Sequence, residues 1–465
     1  MDTAEQITTT KKAKLEHLYI GKDIADVPKP AIVLDVAKAR RHCSSMLAAT
    51  KALGVAFRPH IKTHKTVELT KMQIGDGIDD VRLVVSTVAE IEHILPLLKD
   101  YQREGRQVNV LYGLPLPASQ VDRISLVARQ LGPGSISFML DHPSQLHPLR
   151  RFHELTGFPG GAFIKVDTGY HRAGLPPNTL NKNGFLEAIG QLHLEHKAIL
   201  VGLYSHSSLS YRDTTPQQAM DNLAEEIRGC MDAVWHNHQY FPILADKFTI
   251  SVGASPQVTS IQNFAGTIGL ENGATKKLVN IIKDVATGEI TGIKVSLELH
   301  AGVYSILDLQ QLATNSRSTM GKFDDEIAIS VAAEVVSVYN DGERQNPEAL
   351  VAVGTLGLGR EPCPSYDGWG MIGPIFASDQ IDPEHRLVVK RISQEHSILS
   401  WDSHDDKTLT QNMPRIPLEV GQYVRIYPNH ACITGAMYSW YFVIDSSRTS
   451  GATRIVDIWM RALGW

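Results

Sequence analysis

Residues 161–167 read GAFIKVD. Successive side chains on an extended chain point to opposite faces, so Ile164 and Val166 share one side while Lys165 and Asp167 share the other. The same split recurs along the first part of the chain. In AILVGLYSH (198–206), Val201 and Leu203 oppose Gly202, Tyr204 and His206; in KFTISVG (247–253), Ile250 and Val252 oppose Thr249, Ser251 and Gly253. In VAFRPHIKTHK (55–65), Val55, Phe57, Pro59 and Ile61 oppose Ala56, Arg58, His60 and Lys62. Further apolar runs, PAIVLD (30–35), RLVVST (82–87), VNVLYGL (108–114) and SISFMLD (135–141), are mostly separated by helical spacing such as VDRISLVARQL (121–131). Strand and helix alternate about eight times between residues 31 and 290, which predicts an α/β chain with a TIM-type (β/α)8 barrel rather than an open doubly wound sheet. A barrel built for stability alone fills its interior with Val, Ile and Leu. Here four strands aim polar groups inward, and catalytic groups of such barrels gather at the C-terminal mouth, where Lys62 falls.

From about residue 291 the texture changes. Segments such as TGIKVSLELHAGVYSILDL, EIAISVAAEVVSVYN and QYVRIYPNHACITGAMYSWYFVI are strand-like and carry little helical periodicity. The expected organisation is a leader over 1–27, which can pack on the β domain, a barrel over 28–290 and a mainly β domain over 291–465. The length of 465 residues fits two domains. A net charge of −5 gives no basic excess for gripping phosphate backbones, so no nucleic-acid partner is expected. Four irregularly spaced cysteines read as thiols of a reducing compartment. With no signal-peptide core and no run of about 18 apolar residues, the expectation is a cytoplasmic protein without a membrane partner.

Chemistry is carried by few residues. A lysine in a barrel mouth serves as a charge clamp, a solvated rim residue or a Schiff-base former. The last needs an amine that can be deprotonated, which burial beside cations such as Arg58 favours. Lys62 is the candidate, and Lys65 is expected to open the next helix as a solvated cation. SVGASPQ (251–257) leaves the amides of Gly253, Ala254 and Ser255 available to an anion, though a plain strand-to-helix turn reads the same way. VDTGYHRAG (166–174) puts Arg172 in a glycine-bracketed loop after Asp167. His430 and Cys432, two residues apart, would point the same way on an extended chain and both suit zinc.

These motifs, with RPHIKTHK, LYSHSSLSY, LELHAGVYSILDLQQ, REP before GWG, and PNHAC, occur here in the order seen in one enzyme group. From about residue 28 onward, the sequence resembles the fold-type III pyridoxal phosphate enzymes of the D-serine dehydratase and D-threonine aldolase group. The resemblance implies that Lys62 carries pyridoxal 5′-phosphate, that Arg172 faces its pyridine nitrogen and that Gly253, Ala254 and Ser255 form the phosphate cup. It places Tyr204 along the cofactor. It also implies that His430 and Cys432 hold Zn²⁺, since the eukaryotic-type dehydratases of the group carry His-x-Cys where the aldolases carry His-x-Asp.

The implied reaction is β-elimination of water from D-serine to pyruvate and ammonia, with Lys62 as base, the cofactor acidifying the Cα proton and zinc assisting loss of hydroxide. Alternatives are a D-threonine aldolase, a dehydratase of another β-hydroxy D-amino acid, and a non-enzymatic pyridoxal phosphate carrier. A homodimer is implied by similarity alone. Two stretches depart from the group's pattern: HAGVY (300–304) lacks the usual Pro and Asn, and AVGTLGLGREP (352–362) lacks an Asp and a Ser.

Overall fold

The computed structural model describes residues 2–241, 248–264, 273–374, 386–402 and 413–465. They form two compact units. One comprises Cys43–Tyr304 with Thr314–Thr319 and Ala462–Trp465; the other comprises Met1–His42, Ser305–Ala313 and Met320–Arg461. The first strand, β1 (Ala31–Asp35), belongs to the second of these.

The first unit holds β2 (Ala56–Pro59), β3 (Val81–Val85), β4 (Val108–Pro115), β5 (Ile136–Leu140), β6 (Gly160–Val166), β7 (Ala198–Ser205), β8 (Phe248–Val252), the short β9 (Glu289–Ile290) and β10 (Ile293–Ala301). Eight of these run parallel in the order β2-β10-β8-β7-β6-β5-β4-β3. A parallel bridge from His60 to Val84, with Ile61 N donating to Val84 O at 3.1 Å, brings the ends of that order together. The helices between strands cover the outside. Val88–Arg103, for example, is entered through Thr87, whose hydroxyl accepts from Glu90 N.

The predicted alternation accounts for most of the barrel wall. Ile164, Val166, Leu203, Ile250 and Val252 lie in the core between strands and helices, whereas Phe163 and Tyr204 join Val84, Leu111 and Met139 in a cluster inside the barrel. Val201 departs from expectation by packing against the inner cluster. The reason is an irregularity in the β6–β7 ladder: Ala162 faces Leu200 but Phe163 faces Gly202, and the extra residue switches the parity of the strand. Gly202 is required there, since a Cβ would lie 1.9 Å from Thr249 O.

Two expected boundaries move. β10, which the sequence expectation puts in the β domain, is the eighth barrel strand, with Val295, Leu297 and Leu299 facing the helices. The strand-like texture that begins near residue 291 starts with Thr291 and Gly292, which connect β9 to β10 within the barrel unit. PAIVLD, in turn, is not a barrel strand: β1 is buried along its whole length between β11 (Ile329–Tyr339) and β17 (Trp440–Ile444). A strand covered on both faces reads as a continuous apolar run in either setting.

The second unit completes its sheet with β12 (Glu348–Val351), β13 (Gly370–Ile372), β14 (Leu387–Ile392), β15 (Ser397–Trp401), β16 (Tyr423–Pro428) and β18 (Asp457–Met460). The order is β12-β15-β14-β13-β16-β11-β1-β17-β18. Apart from β1 with β17, its pairs are antiparallel. The leader is the helix Asp2–Tyr19, and its Leu15 and Tyr19 pack on the cluster of Ile24, Val33 and Phe442 in this unit. No helix among the described residues is long and apolar enough to cross a membrane.

The charged inward face of β2 finds its partner inside the barrel. Arg58 Nε donates to Glu298 Oε1 at 2.7 Å, Ser251 Oγ donates to the same oxygen at 2.9 Å, and Arg82 reaches Oε2 at 3.3 Å. Burial alone would push the Glu298 carboxyl up, but Arg58, Arg82 and Ser251 outweigh it and hold the group below its ordinary value. Its stabilisation is therefore present above the unfolded carboxylate value of about 4.3 and is lost as pH falls through the lower folded one. Glu298→Ala, which strands a buried guanidinium, is expected to cost about 3–5 kcal/mol. Urea unfolding checks this, and a variant as stable as the parent removes the ion pair from the account of the barrel.

Candidate active site

The site begins where β2 ends. His60 N donates to Ala301 O at 2.8 Å, and Lys65 N donates to Ile61 O at 2.9 Å, which closes the turn carrying Lys62. Ile61, Thr63, His64 and Thr66 are all wholly buried, whereas Lys62 is exposed. His64 anchors the turn from below, with Nε2 2.9 Å from Gln73 Oε1 and Nδ1 accepting from Thr66 N. One amine is thus presented by a backbone that has little freedom.

Three expectations about this turn change. Lys62, expected to be buried beside cations, is exposed. Arg58 does not sit beside Lys62 as an unpaired cation, because Glu298 takes its charge inside the barrel. Lys65 is not helical and only partly solvated: it adopts φ 55°, and its ammonium lies 3.1 Å from the buried Glu90. The helix starts later, at Val67, behind a Thr66 cap.

Around Lys62 stand residues from the C-terminal ends of other strands. The charge of Lys62 is felt by His60 and His206; burial first, then that charge, drives both imidazoles well below their usual value. His300, on β10, is likewise held neutral, by burial and then by His206 and Lys165. Its ring stacks on Tyr204 at 4.1 Å between centroids, nearly parallel, and His206 lies beyond at 5.7 Å. His300 Nδ1 is 3.2 Å from Ser251 Oγ, while its buried Nε2 has no hydrogen-bond partner among the described residues. Lys165 lies 5.1 Å over the Tyr204 ring, and burial pushes its ammonium down to about 8.

Arg172 is exposed at the mouth, stacked 5.4 Å over Tyr170. Asp167, expected to face the interior, instead builds this loop, accepting from Gly169 N and His171 N and pairing with His171 Nδ1 at 2.9 Å. The guanidinium is near enough to Lys165, Tyr204 and His206 for its charge to act on each. The turn Gly253-Ala254-Ser255 is buried at the end of β8. Gly253 has φ 147° and leaves no room for a side chain, since a Cβ would meet His300 O at 2.3 Å. His206 Nδ1 lies 2.6 Å from Gly253 O, and Gly302 N donates to Ser255 Oγ at 3.2 Å.

The arrangement fits a flat, anionic heteroaromatic group. Three cations, Lys62, Lys165 and Arg172, meet imidazoles kept neutral, a stacked ring pair offers a plane, an orphaned ring nitrogen awaits a partner and a glycine keeps the backbone approachable. The periodicity of β6 and β7 singled out Lys165, Tyr204 and His206, but His300 was missed because its strand was placed in the other domain.

In the second unit, His430 is the N-cap of the helix Ala431–Ala436 and Cys432 lies in its first turn. The two are brought together by a helix start, not by an extended chain. Burial opposes charge on His430, but Cys432, then Asp308 and Glu361, outweigh it and raise the imidazole to about 9. Asp308, itself buried, accepts from Ala431 N at 2.8 Å and so orients this turn. Asn429 ties three motifs together by donating to Glu361 O and Gly368 O, each at 2.8 Å. An imidazole and a thiol with carboxylates behind them suit a thiophilic divalent cation. Among the described residues no group of three potential ligands is formed.

Comparison with known proteins agrees with both units. A profile described as the alanine racemase N-terminal domain matches residues 34–265, and one described as a putative serine dehydratase domain matches residues 328–444. The D-serine dehydratase of Schizosaccharomyces pombe is 33% identical over 459 residues, covering 98% of this chain and 96% of its own. That of Saccharomyces cerevisiae is 28% identical, covering 96% and 98%. The solved structure of D-threo-3-hydroxyaspartate dehydratase from Delftia sp. HT23 superposes with a TM-score of 0.70 at 23% identity, over 96% of this chain and all of that one. With its two-unit fold shared and a third of its residues identical to a relative along nearly the whole length, the chain belongs to the D-serine dehydratase family.

Proposed function

We propose that this protein eliminates water from D-serine to give pyruvate and ammonia, using pyridoxal 5′-phosphate held by Lys62 and a zinc ion held by His430 and Cys432. The observation that carries the reading is the exposed Lys62 amine between buried neighbours, Ile61 and Thr63, with its charge acting on His60 and His206, both held neutral. The printed names of the relatives supply the substrate. When bound, the cofactor acidifies the substrate Cα–H and the metal, as a Lewis acid, eases departure of the β-hydroxide.

The chain's own groups divide the remaining work. Lys62 Nζ would hold the cofactor and supply the amine that takes the substrate Cα proton. Arg172 would face the cofactor's ring nitrogen, where its permanent positive charge would disfavour protonation. Tyr204 and His300 would give the ring its platform, and the Gly253-Ala254-Ser255 amides would take the phosphate. His60 and His206 are held neutral, so they add no positive charge that would oppose proton uptake at Lys62. A thiolate and an imidazole favour zinc over the harder ions, which is what inclines the reading to elimination rather than aldol cleavage. Net charge and cysteine usage support a cytoplasmic protein free of nucleic-acid and membrane partners, and the family resemblance supports a homodimer.

With D-serine, the purified protein is expected to form pyruvate and ammonia in equal amounts, and Lys62→Ala is expected to abolish both along with the cofactor's visible absorbance. Glycine with an aldehyde as the main products would turn the assignment to an aldolase, and absence of any turnover by the cofactor-loaded protein would turn it to a carrier. Cys432→Ala, or removal of metal by a chelator, is expected to lower pyruvate formation about a hundredfold with the cofactor still bound, and zinc is expected to restore the parent but not the variant. Parent-level turnover by metal-free Cys432→Ala would rule out the metal's part.

A further inference from the structure

The turn that presents Lys62 is tied by a second piece of chain. After β18, residues Ala462–Trp465 belong to the barrel unit. Ala462 N donates to Lys65 O at 2.8 Å, three residues beyond Lys62. Because Lys65 lies at φ 55°, outside the helix that opens at Val67, its carbonyl takes no part in the first helical hydrogen bond, which runs from Thr70 N to Thr66 O.

The side chain of Lys65 is held as firmly as its carbonyl. Its ammonium lies 3.1 Å from Glu90 Oε1, and Glu90 also accepts from Ser86 N at 2.9 Å at the start of the helix Val88–Arg103. Two residues along the same helix, Glu92 accepts from Arg123 Nε at 2.8 Å, and Arg123 donates in turn to the backbone oxygen of Trp465. Residues 462–465 thus run from Lys65 to Arg123 across the first turns of one helix. Their large side chains do not hold them there: Leu463 is 57% exposed and Trp465 79%, while Ala462 is 5% exposed. Backbone hydrogen bonds specify the contact.

We propose that Ala462–Trp465 is a latch that fixes the Lys62 turn, with the Ala462 amide, Lys65 and Glu90 as its positioning groups. The inference deepens the proposed function and rests on Lys62 being the cofactor lysine. One amine has to serve both as cofactor anchor and as base, and about 1 Å of misplacement at a reacting group costs on the order of a hundredfold in rate. A long side chain sweeps widely unless its backbone is held, and the latch adds a hydrogen bond at Lys65 O to the one that His60 N makes to β10.

The test compares Ala462→Pro, which deletes the N–H donor, with Ala462→Gly, which keeps it, and Lys65→Met with Lys65→Arg. Two readouts are taken on the whole protein: amide hydrogen exchange across residues 60–66, and the rate at which added pyridoxal phosphate is trapped on Lys62 by borohydride. Trapping joins Nζ to the aldehyde carbon with loss of one water, and borohydride supplies the hydride that reduces the resulting C=N bond. Ala462→Pro and Lys65→Met are expected to speed exchange in this segment about fivefold, the worth of a hydrogen bond, and to slow trapping, with kcat falling more than KM rises. Exchange in Ala462→Gly and Lys65→Arg is expected to stay within about twofold of the parent. Parent-like exchange and trapping in both Ala462→Pro and Lys65→Met overturn the latch. Altered exchange in a protein whose parent form traps no cofactor on Lys62 overturns instead the reading of Lys62, and with it the latch's catalytic purpose.

Discussion

The bridge between His60 and Val84 is the constraint on which the site depends. β2 is only four residues long and pairs along its whole length with β10, so its other edge meets β3 just beyond the strand, through that bridge and the hydrogen bond from Ile61 to Val84. A parallel barrel has to tilt and stagger its strands to close. Here closure falls on residues 60–61, and Lys62 is the next residue along the chain. Presentation of the amine and completion of the barrel are therefore one structural event. Below it, Arg58 and Glu298 fill the barrel with a charge pair instead of a hydrocarbon layer, an arrangement whose stability comes from mutual pairing and is lost when either partner goes.

Electrostatics divides the barrel along its axis. Glu298 lies deep and is neutralised by two arginines; Glu226, also buried, accepts from Ser205 Oγ at 2.8 Å and Ser207 N at 2.6 Å, and burial pushes its carboxyl up. The mouth carries Lys62 and Arg172 with Lys165 beneath them, while His60, His206 and His300 add no charge of their own. A phosphorylated cofactor and a substrate carboxylate both bring negative charge, which such a distribution suits without burying an unpaired anion. In the second unit, by contrast, Cys432, Asp308 and Glu361 act together on the His430 imidazole and favour its charged form.

Much of this was legible in the residues themselves. Strict period-two alternation identified the inward groups of β6, β7 and β8, since a strand between helices and a filled interior has no other way to satisfy both faces. It failed at Val201, because a bulge changes parity without any mark in composition. The boundary near residue 291 failed for a different reason: the loss of helical spacing there marks the last barrel strand, β10, which brings Glu298 and His300 with it, and not the start of the second domain. Lys65 was misread because a left-handed backbone at a lysine is specified by its surroundings, here Glu90, and not by its own preference.

The amino-acid order by itself determined the local periodicity, the barrel class, the β character of the second unit and which few residues, Lys62, Arg172, Tyr204, His430 and Cys432 among them, have the chemistry for a cofactor and a metal. Those properties are written in side-chain type and spacing. Only the tertiary structure decided that β1 joins the second sheet and β10 the barrel, that Arg58 is spent on Glu298, that His430 meets Cys432 across a helix start, and that residues 462–465 return to Lys65. Each of these pairs groups far apart in the chain or depends on one backbone angle, and such pairings are chosen by the packing of the whole molecule, which no short stretch of sequence can register.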